Sequence, residues 1–336
     1  MELKHQVDLK PYNTFGLSVK AENFSTFSTV DELRQIISEN RDKELLVLGG
    51  GSNMLLTKDY PGLVLKNELK GIEVIQEDQD FVLLKAAAGE VWHQLVLHAI
   101  ENGFGGIENM SLIPGSAGAA PMQNIGAYGV EIKDVFHELE ALEIASGQIR
   151  KFTNKECDFG YRESVFKRAL KGKYIITSIT LKLSKNPILN TSYGAIEERL
   201  KEMGVIHPTI KDVSDAVIYI RQTKLPDPAQ IGNSGSFFKN PVIPKSKFEV
   251  IRNKFPGISS YPVDDNHVKL AAGWLIDNAG WKGKTFGNYG VHKNQALVLV
   301  NYGGATGKEI YQLSEDIMNS VKEIYDVDLE REVNVI

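Results

Sequence analysis

Residues 105–129 read GGIENMSLIPGSAGAAPMQNIGAYG, and the rest of the chain is organised around them. Six of these 25 residues are glycine, and Glu108 is the one charged side chain. A solvated linker is polar and lacks Ile, Leu and Met at this density. A helix is excluded because each interior glycine costs about 1 kcal/mol relative to alanine. What remains is ordered, buried, irregular backbone whose amides and carbonyls must find partners. Small residues at 115–120 let another molecule approach the main chain closely, and amide N–H groups in such a turn can converge on an anion. The stretch predicts a loop wrapped round a large ligand carrying phosphate. A structural crossover is the commoner meaning of a glycine cluster, but the length and near absence of charge favour the ligand.

A second loop points the same way. LLVL at 45–48 reads as a short buried strand, and GGGSN at 49–53 follows it. Gly49 and Gly51 fit the first two glycines of a Rossmann fingerprint, but Met54 stands where the third belongs. No Gly-Lys-Ser/Thr follows, so the loop is not a P-loop either. Paired with 105–129, it suggests one dinucleotide held by two loops from separate lobes.

Composition sets the outer bounds. A chain of 336 residues is long enough for two or three domains with their own cores. Hydrophobic content of 42% and charged content of 24% are ordinary for a globular protein. A net charge of −5 argues against a nucleic-acid groove. No apolar run is long enough for a transmembrane helix, and an N-terminus reading MELKHQVDLK predicts no secretory signal. Cys157 is the single cysteine, which rules out an intramolecular disulfide and a cysteine-built zinc site. The expected compartment is the reducing cytoplasm. His93 and His98 lie five apart, out of step for one helix face, and no metal site is expected.

Along the chain, PYNTFGL at 11–17 predicts a turn, with Asn13 and Thr14 capping local backbone. Thr29 and Glu32 form a capping box for a helix whose apolar stripe is Leu33, Ile36 and Ile37. Strands are expected at 45–48 and 63–65, and a pair at 71–76 and 81–87. A helix over 90–102 should turn Val91, Leu95 and Ala99 inward and stop at Gly103. A hairpin is expected over 138–152, a long strand at 174–183, and a helix at 209–222 with Ile210, Val213, Val217 and Ile220 on one face. Pro226, Asp227 and Pro228 mark a domain boundary. Beyond it come helices near 246–254 and 267–279, a strand at 296–300 and a helix over 307–325 carrying Ile310, Leu313, Ile317, Val321 and Ile324. The end, REVNVI, is strand-like.

Seven stretches, in order, resemble the UDP-N-acetylenolpyruvoylglucosamine reductase (MurB) family across nearly the whole chain. They are NTFG at 13–16, LGGGSN at 48–53, PGSAGAAPMQNIGAYG at 114–129, GYRESVFK at 160–167, LPDP with GNSGSFFKNP at 225–241, QALVLVN at 295–301 and LEREV at 329–333. A segment around SYGAI at 192–196 resembles the extra tyrosine-bearing loop of the type I form. Ser116–Ala117, Ser234 and Asn334 depart from the family's commoner spelling, all as small or peripheral changes.

The resemblance implies an α+β chain. A two-lobed FAD-binding fold of the vanillyl-alcohol oxidase (PCMH-type) superfamily would span 1–70 and 71–225, with the strand at 326–336 returning to the first lobe. A substrate-binding α+β domain would span 226–325. It also implies a reaction, in which NADPH reduces non-covalent FAD and the flavin reduces the enolpyruvyl ether of a UDP-sugar to UDP-N-acetylmuramate, a peptidoglycan precursor. The FAD would be held by Gly49, Gly50, Gly51, Ser52 and Asn53 in one cradle. Pro114, Gly115, Ser116, Gly118, Ala119, Gln123, Asn124, Gly126, Ala127 and Tyr128 would form the other. A monomer without nucleic-acid or membrane partners is expected.

Hydride delivered to the β-carbon of a vinyl ether leaves carbanion character beside a carboxylate, a centre that needs a proton and a charge stabiliser. By resemblance, Ser236 is the proton donor, although a serine beside glycine more often caps local backbone. Arg162 matches the residue that holds the substrate carboxylate, where a planar fork is suited to bidentate contact. Arg168 is a nearby rival without the Gly-Tyr context. Glu332 matches the third catalytic position, as orienter or as proton carrier. Glu330, on the same face of a strand, is the alternative. Tyr193, Lys224, Asn240 and Gln295 match substrate contacts, with Lys224 the cation a diphosphate wants. Trp274 and Trp281 read as packing residues. Two rivals stay open at this level: a superfamily oxidase with covalent flavin, and a catalytically silent nucleotide-binding protein.

Overall fold

The computed structural model describes residues 3–336. They form two compact units, each assembled from separated segments. The first comprises 3–7, Ala21–Gly50 and Tyr60–Thr223; the second comprises Asp8–Lys20, Gly51–Asp59 and Lys224–Ile336.

In the first unit, strands Lys4–Asp8, Lys20–Phe27, Tyr60–Asn67 and Leu45–Leu48 lie side by side in that order. Lys20–Phe27 and Leu45–Leu48 both run parallel to Tyr60–Asn67. Helix Val30–Glu39 crosses between strands and packs Leu33, Ile36 and Ile37 against Phe27, Leu63 and Leu65. Its start is the predicted capping box: Glu32 N donates to Thr29 Oγ1 at 3.1 Å, and Thr29 N donates to the Glu32 carboxylate at 3.2 Å.

The larger sheet of this unit orders its strands Ile149–Thr153, Phe136–Glu143, Tyr174–Ser184, Phe81–Ala87 and Ile72–Glu77, all antiparallel. Leu142 and Ile175 share the core of the smaller sheet, so the expected two lobes pack as one body. Helix Trp92–Glu101 covers the other face with Trp92, Leu95, Val96 and Ala99. Val91, expected inward, is exposed; it precedes the helix and bridges to Ser116, which leaves Trp92 to fill the core. The indole Nε1 of Trp92 then donates to Met110 O at 3.0 Å and ties the helix to the central stretch. The segment expected as a tyrosine loop becomes helix Gly194–Glu202 from its third residue onward. That helix packs Ile196 and Leu200 against Val213, Val217 and Ile220 of helix Ile210–Lys224.

The second unit holds two small sheets. Gly232–Ser236, Val298–Asn301, Tyr289–Val291 and Thr285–Phe286 form one; Val242–Pro244, His267–Leu270 and Ser260–Pro262 form the other. The predicted helix over 267–279 is wrong in its first half. His267–Leu270 is a central strand with a partner on each edge, and the helix is Ala272–Asn278. The switch comes where Asn240 Oδ1 accepts from Ala272 N at 2.9 Å and supplies the cap of the shortened helix. Helix Gly307–Tyr325 buries Ile310, Leu313, Ile317 and Val321 as expected, but Tyr325 turns inward in place of the exposed Ile324.

Asn334–Val335 pairs in parallel with Met54–Leu55. Both strands belong to the second unit, in which the chain end meets segment 51–59. Gly307 lies against the Leu56 carbonyl so closely that a β-carbon there would overlap it, and this fixes 54–57 beside the start of the last helix. Among the described residues no helix is long and apolar enough to cross a membrane.

Candidate functional site

In the first unit the two glycine loops meet. A β-carbon on Gly50 would stand 2.8 Å from Gly115 Cα, and one on Gly49 would collide with Ser116 Oγ. At Gly50 and Gly115 main chain approaches main chain because neither residue carries a side chain. Lys66 Nζ donates to Gly49 O at 2.6 Å and holds the first loop from below. Burial pulls that ammonium below its ordinary pKa. The amide of Gly50 donates to no group among the described residues.

The central stretch is buried and irregular, as its composition demands. It runs through three single 3-10 turns, Glu108–Met110, Ala117–Ala119 and Pro121–Gln123. Glu108, its only charge, is buried and accepts from Gly106 N at 2.6 Å. Of the amides along 115–120, four are engaged within the chain. Ala117 N donates to Glu90 O, Gly118 N to Ala88 O, Ala119 N to Ser116 O and Ala120 N to Ala117 O. Those amides build the turn, whereas those of Gly115 and Ser116, nearest the other loop, donate to no group among the described residues. Gly118 is glycine for packing, since a β-carbon would overlap Ala88.

The GYRES segment is stitched to the same stretch. Asn124 Nδ2 donates to Gly160 O at 2.9 Å, and Ser164 Oγ donates to Met122 O at 2.6 Å. Arg162 lies between these ties in the left-handed region, φ +55°. That backbone costs a non-glycine residue of order 1–3 kcal/mol and persists only when surroundings impose it. Its Nη2 donates to Gly126 O at 2.8 Å, and Nη1 reaches Asn124 O at 3.4 Å. Arg168, the rival, is a surface ion pair with Asp158 at 2.5 Å.

Tyr193 stands half exposed just before helix Gly194–Glu202, and its ring meets Tyr128 edge to face at 5.4 Å. Tyr128 also has positive φ, +50°. Burial pushes its phenol above the ordinary range, with Arg221 partly offsetting this. Burial likewise draws the Arg221 guanidinium down. Arg221 is absent from the sequence reading, hidden on a helix read only for its apolar face.

The second unit gathers four of the sequence motifs. Asn13 staples the first by donating to Leu9 O at 2.7 Å and Leu17 O at 2.9 Å. Thr14 N donates to Gly51 O at 3.1 Å, and Asn233 N donates to Thr14 O at 3.0 Å. Gly51 has φ +61°, and a β-carbon on it would strike the Tyr12 carbonyl. Gly235 N donates to Asn233 Oδ1 at 3.0 Å in a turn that Gly235 completes with φ +68°. Ser236 follows, half-buried, with its hydroxyl bonded to none of the described residues. Ser234, by contrast, is a structural residue that donates to Met54 O at 3.2 Å.

Glu332 arrives beside this turn. Its N–H donates to Phe237 O at 2.9 Å, and Asn53 Nδ2 donates to its carbonyl at 3.3 Å. Glu330, the alternative, is taken: its carboxylate lies 2.5 Å from Lys239 Nζ. Lys239 is a further residue the sequence reading passed over, although it is the one charge in GNSGSFFKNP. Asn240 Oδ1 is committed to Ala272 N at 2.9 Å, and Gln295 Oε1 accepts from Leu297 N at 3.3 Å. Lys224 is exposed at the end of its helix. Trp274 and Trp281 pack against the core of this unit. No group of His, Cys, Asp and Glu among the described residues is arranged to hold a metal.

The comparisons agree with this division of labour. The profile of an FAD binding domain matches residues 22–153. The profile described as UDP-N-acetylenolpyruvoylglucosamine reductase, C-terminal domain, matches residues 227–336. The expected α+β chain, an FAD-binding part followed by a distinct C-terminal domain, is borne out. The UDP-N-acetylenolpyruvoylglucosamine reductase of Flavobacterium johnsoniae is 55% identical over 337 residues, covering 100% of both chains. The protein of that name from Amoebophilus asiaticus is 51% identical, again over 100% of both. The crystal structure of the reductase (MurB) from Thermus caldophilus superposes with a TM-score of 0.71 at 25% identity, covering 100% of this chain and 99% of that one. The bare backbone of the paired glycine loops and their unengaged amides fit an FAD diphosphate, and this chain belongs to the UDP-N-acetylenolpyruvoylglucosamine reductase family of flavoenzymes.

Proposed function

We propose that the protein uses NADPH to reduce UDP-N-acetyl-3-O-(1-carboxyvinyl)-glucosamine to UDP-N-acetylmuramate; its relatives carry the name UDP-N-acetylenolpyruvoylglucosamine reductase. FAD would be held by the Gly49–Asn53 and Pro114–Tyr128 loops and would supply the hydride chemistry between NADPH and the terminal vinyl carbon. The residues of the chain supply the rest. Ser236 holds the proton that the carbon next to the carboxylate receives, its hydroxyl left available by the turn at Asn233 and Gly235. Arg162 binds the substrate carboxylate, with the guanidinium plane already fixed by Gly126 and Asn124. Glu332 orients the enolpyruvyl group beside Ser236. Lys224 neutralises the diphosphate, Tyr193 closes on the nucleotide, and the amide nitrogens of Asn240 and Gln295 bind the sugar nucleotide.

The observation that carries this reading is the hydrogen bond from Glu332 N to Phe237 O, which sets Glu332 next to the Ser236 turn within one unit. In the test, purified protein is mixed anaerobically with NADPH and its flavin absorbance followed. Bleaching, then recovery of colour on adding the enolpyruvyl sugar nucleotide, is expected. Covalently retained flavin, or colour restored only by oxygen, points to a superfamily oxidase instead. Colourless protein that takes up no FAD points to a silent binding protein.

A further inference from the structure

The strand that carries Glu332 has little sheet to hold it. Phe238 and Arg331 form an isolated antiparallel bridge, framed by Glu332 N donating to Phe237 O and Lys239 N donating to Glu330 O at 2.8 Å. That pairing sets Phe237 opposite Glu332 and Lys239 opposite Glu330. Side chains alternate across a strand, so Phe237, Lys239, Glu330 and Glu332 share one face. On the other face Arg331 is pinned by Glu315 and by Ser314 Oγ at 2.8 Å, and it covers the Tyr311 ring.

Lys239 is unusual on this face. Its side chain is 8% exposed, whereas that of Glu330 is 71% exposed. A buried ammonium needs a carboxylate partner far more than an exposed carboxylate needs an ammonium. The lysine therefore acts as an anchor three residues beyond Ser236, and the terminal strand is drawn to it through Glu330. The backbone of the same residue, Lys239, bonds the same strand. These two bonds from one residue join those from Glu332 N to Phe237 O, from Asn53 to Glu332 O and from Arg331 to Ser314 in setting the register of 330–332.

We propose that Lys239 is a positioning residue: by holding Glu330 it clamps the terminal strand to the Ser236 segment and keeps Glu332 in place for reduction of the substrate. The inference rests on the function proposed above. A displacement of about 1 Å in a positioned group costs roughly 100-fold in rate, so a strand held by so short a ladder is where a clamp matters.

The test pairs Lys239→Met with Glu330→Gln. The second variant changes an exposed side chain and leaves the core intact, so it reports even if the first folds poorly. Two readouts are taken on each full-length holoenzyme. Amide hydrogen exchange of the peptide spanning 329–333 is expected to accelerate at least tenfold in both variants, with the rest of the chain unchanged. In rapid mixing, flavin reduction by NADPH should stay within twofold, while reoxidation by the enolpyruvyl sugar nucleotide slows by tenfold or more. Lys239→Arg should restore most of that loss, and the double variant should be no worse than the worse single one. Unchanged exchange overturns the clamp. Faster exchange with normal reoxidation, or equal slowing of both half-reactions, overturns its part in positioning. If the unaltered protein fails to reoxidise with this substrate, the functional reading fails, and the exchange result still decides the clamp.

Discussion

Gly50 faces Gly115 so closely that a β-carbon on the first would stand 2.8 Å from the Cα of the second. The obstacle is backbone, which cannot rotate away. Gly50→Ala must therefore push the two loops apart or distort them. Overpacking of this kind costs about 1–3 kcal/mol, equivalent to roughly 5- to 150-fold in affinity. We expect weaker FAD retention with unchanged far-ultraviolet circular dichroism, measured by fluorescence titration of the stripped protein. Gly49→Ala should lose less, because it meets the Ser116 hydroxyl, which has other rotamers. Native FAD affinity in Gly50→Ala would remove the paired loops from the cofactor site.

Ser236→Ala removes a hydroxyl that nothing else in the described chain engages. Little stability should be lost. Reduction of the flavin by NADPH should be normal, and reoxidation by the enolpyruvyl substrate should slow by about 10²–10⁴, the usual worth of a general acid. Stopped-flow absorbance separates the two phases. A matched loss in both would show that the serine shapes the site and does not supply the proton.

Much of this was legible because it is local. The capping box at Thr29 and Glu32, the glycine turn after Leu48 and the irregular central stretch follow from residue chemistry at short range. The misreadings came where a distant partner decides. HVKL at 267–270 has a helix-compatible pattern, but it is strand because two neighbours pair with it, and the helix waits for Asn240 from 32 residues upstream. Within the candidate site, the choice of Glu332 over Glu330 needed more than spacing. Both are on one face of the strand, so spacing leaves them equivalent, and the match to the family motif is what singles out Glu332. The exact partner of the chain end, Met54–Leu55, could not be read, because a two-residue strand has no periodicity.

Cys157 gives a test of the core of the first unit. Its thiol is buried at the end of the short helix Asn154–Cys157, among Phe152 and Phe166. Burial, with the Glu156 charge adding to it, pushes the thiol up to about 12. The native protein should therefore react with a thiol reagent at neutral pH only as fast as it unfolds, and denatured protein should react at once. The sign of the pH effect follows. The folded thiol stays protonated where the unfolded one, with a pKa of about 8.5, has begun to ionise. Its contribution to stability is complete below that pH and is lost as pH rises towards 12. Rapid labelling of native protein at pH 7 would contradict the packing described here.

Arg162 carries the sharpest prediction, because its geometry excludes a simple charge argument. Its left-handed backbone is imposed by bonds from Asn124 to Gly160 and from Ser164 to Met122 on either side. Its guanidinium is held by the carbonyls of Gly126 and Asn124. A lysine keeps the charge but loses the planar fork and cannot bond a carbonyl and a carboxylate in fixed directions at once. Arg162→Lys should therefore reduce turnover well beyond the effect of moving a charge, by roughly 10²-fold or more, since the lost contact stabilises charge that develops only during reduction. Most of that loss should fall on kcat. Arg168→Lys, changed on the exposed pair with Asp158, should leave turnover within about twofold, as surface ion pairs are worth little. If Arg162→Lys turned over at near-native rate, the arginine would be a scaffold for the central loop, and the charge stabiliser would have to be sought elsewhere in the chain.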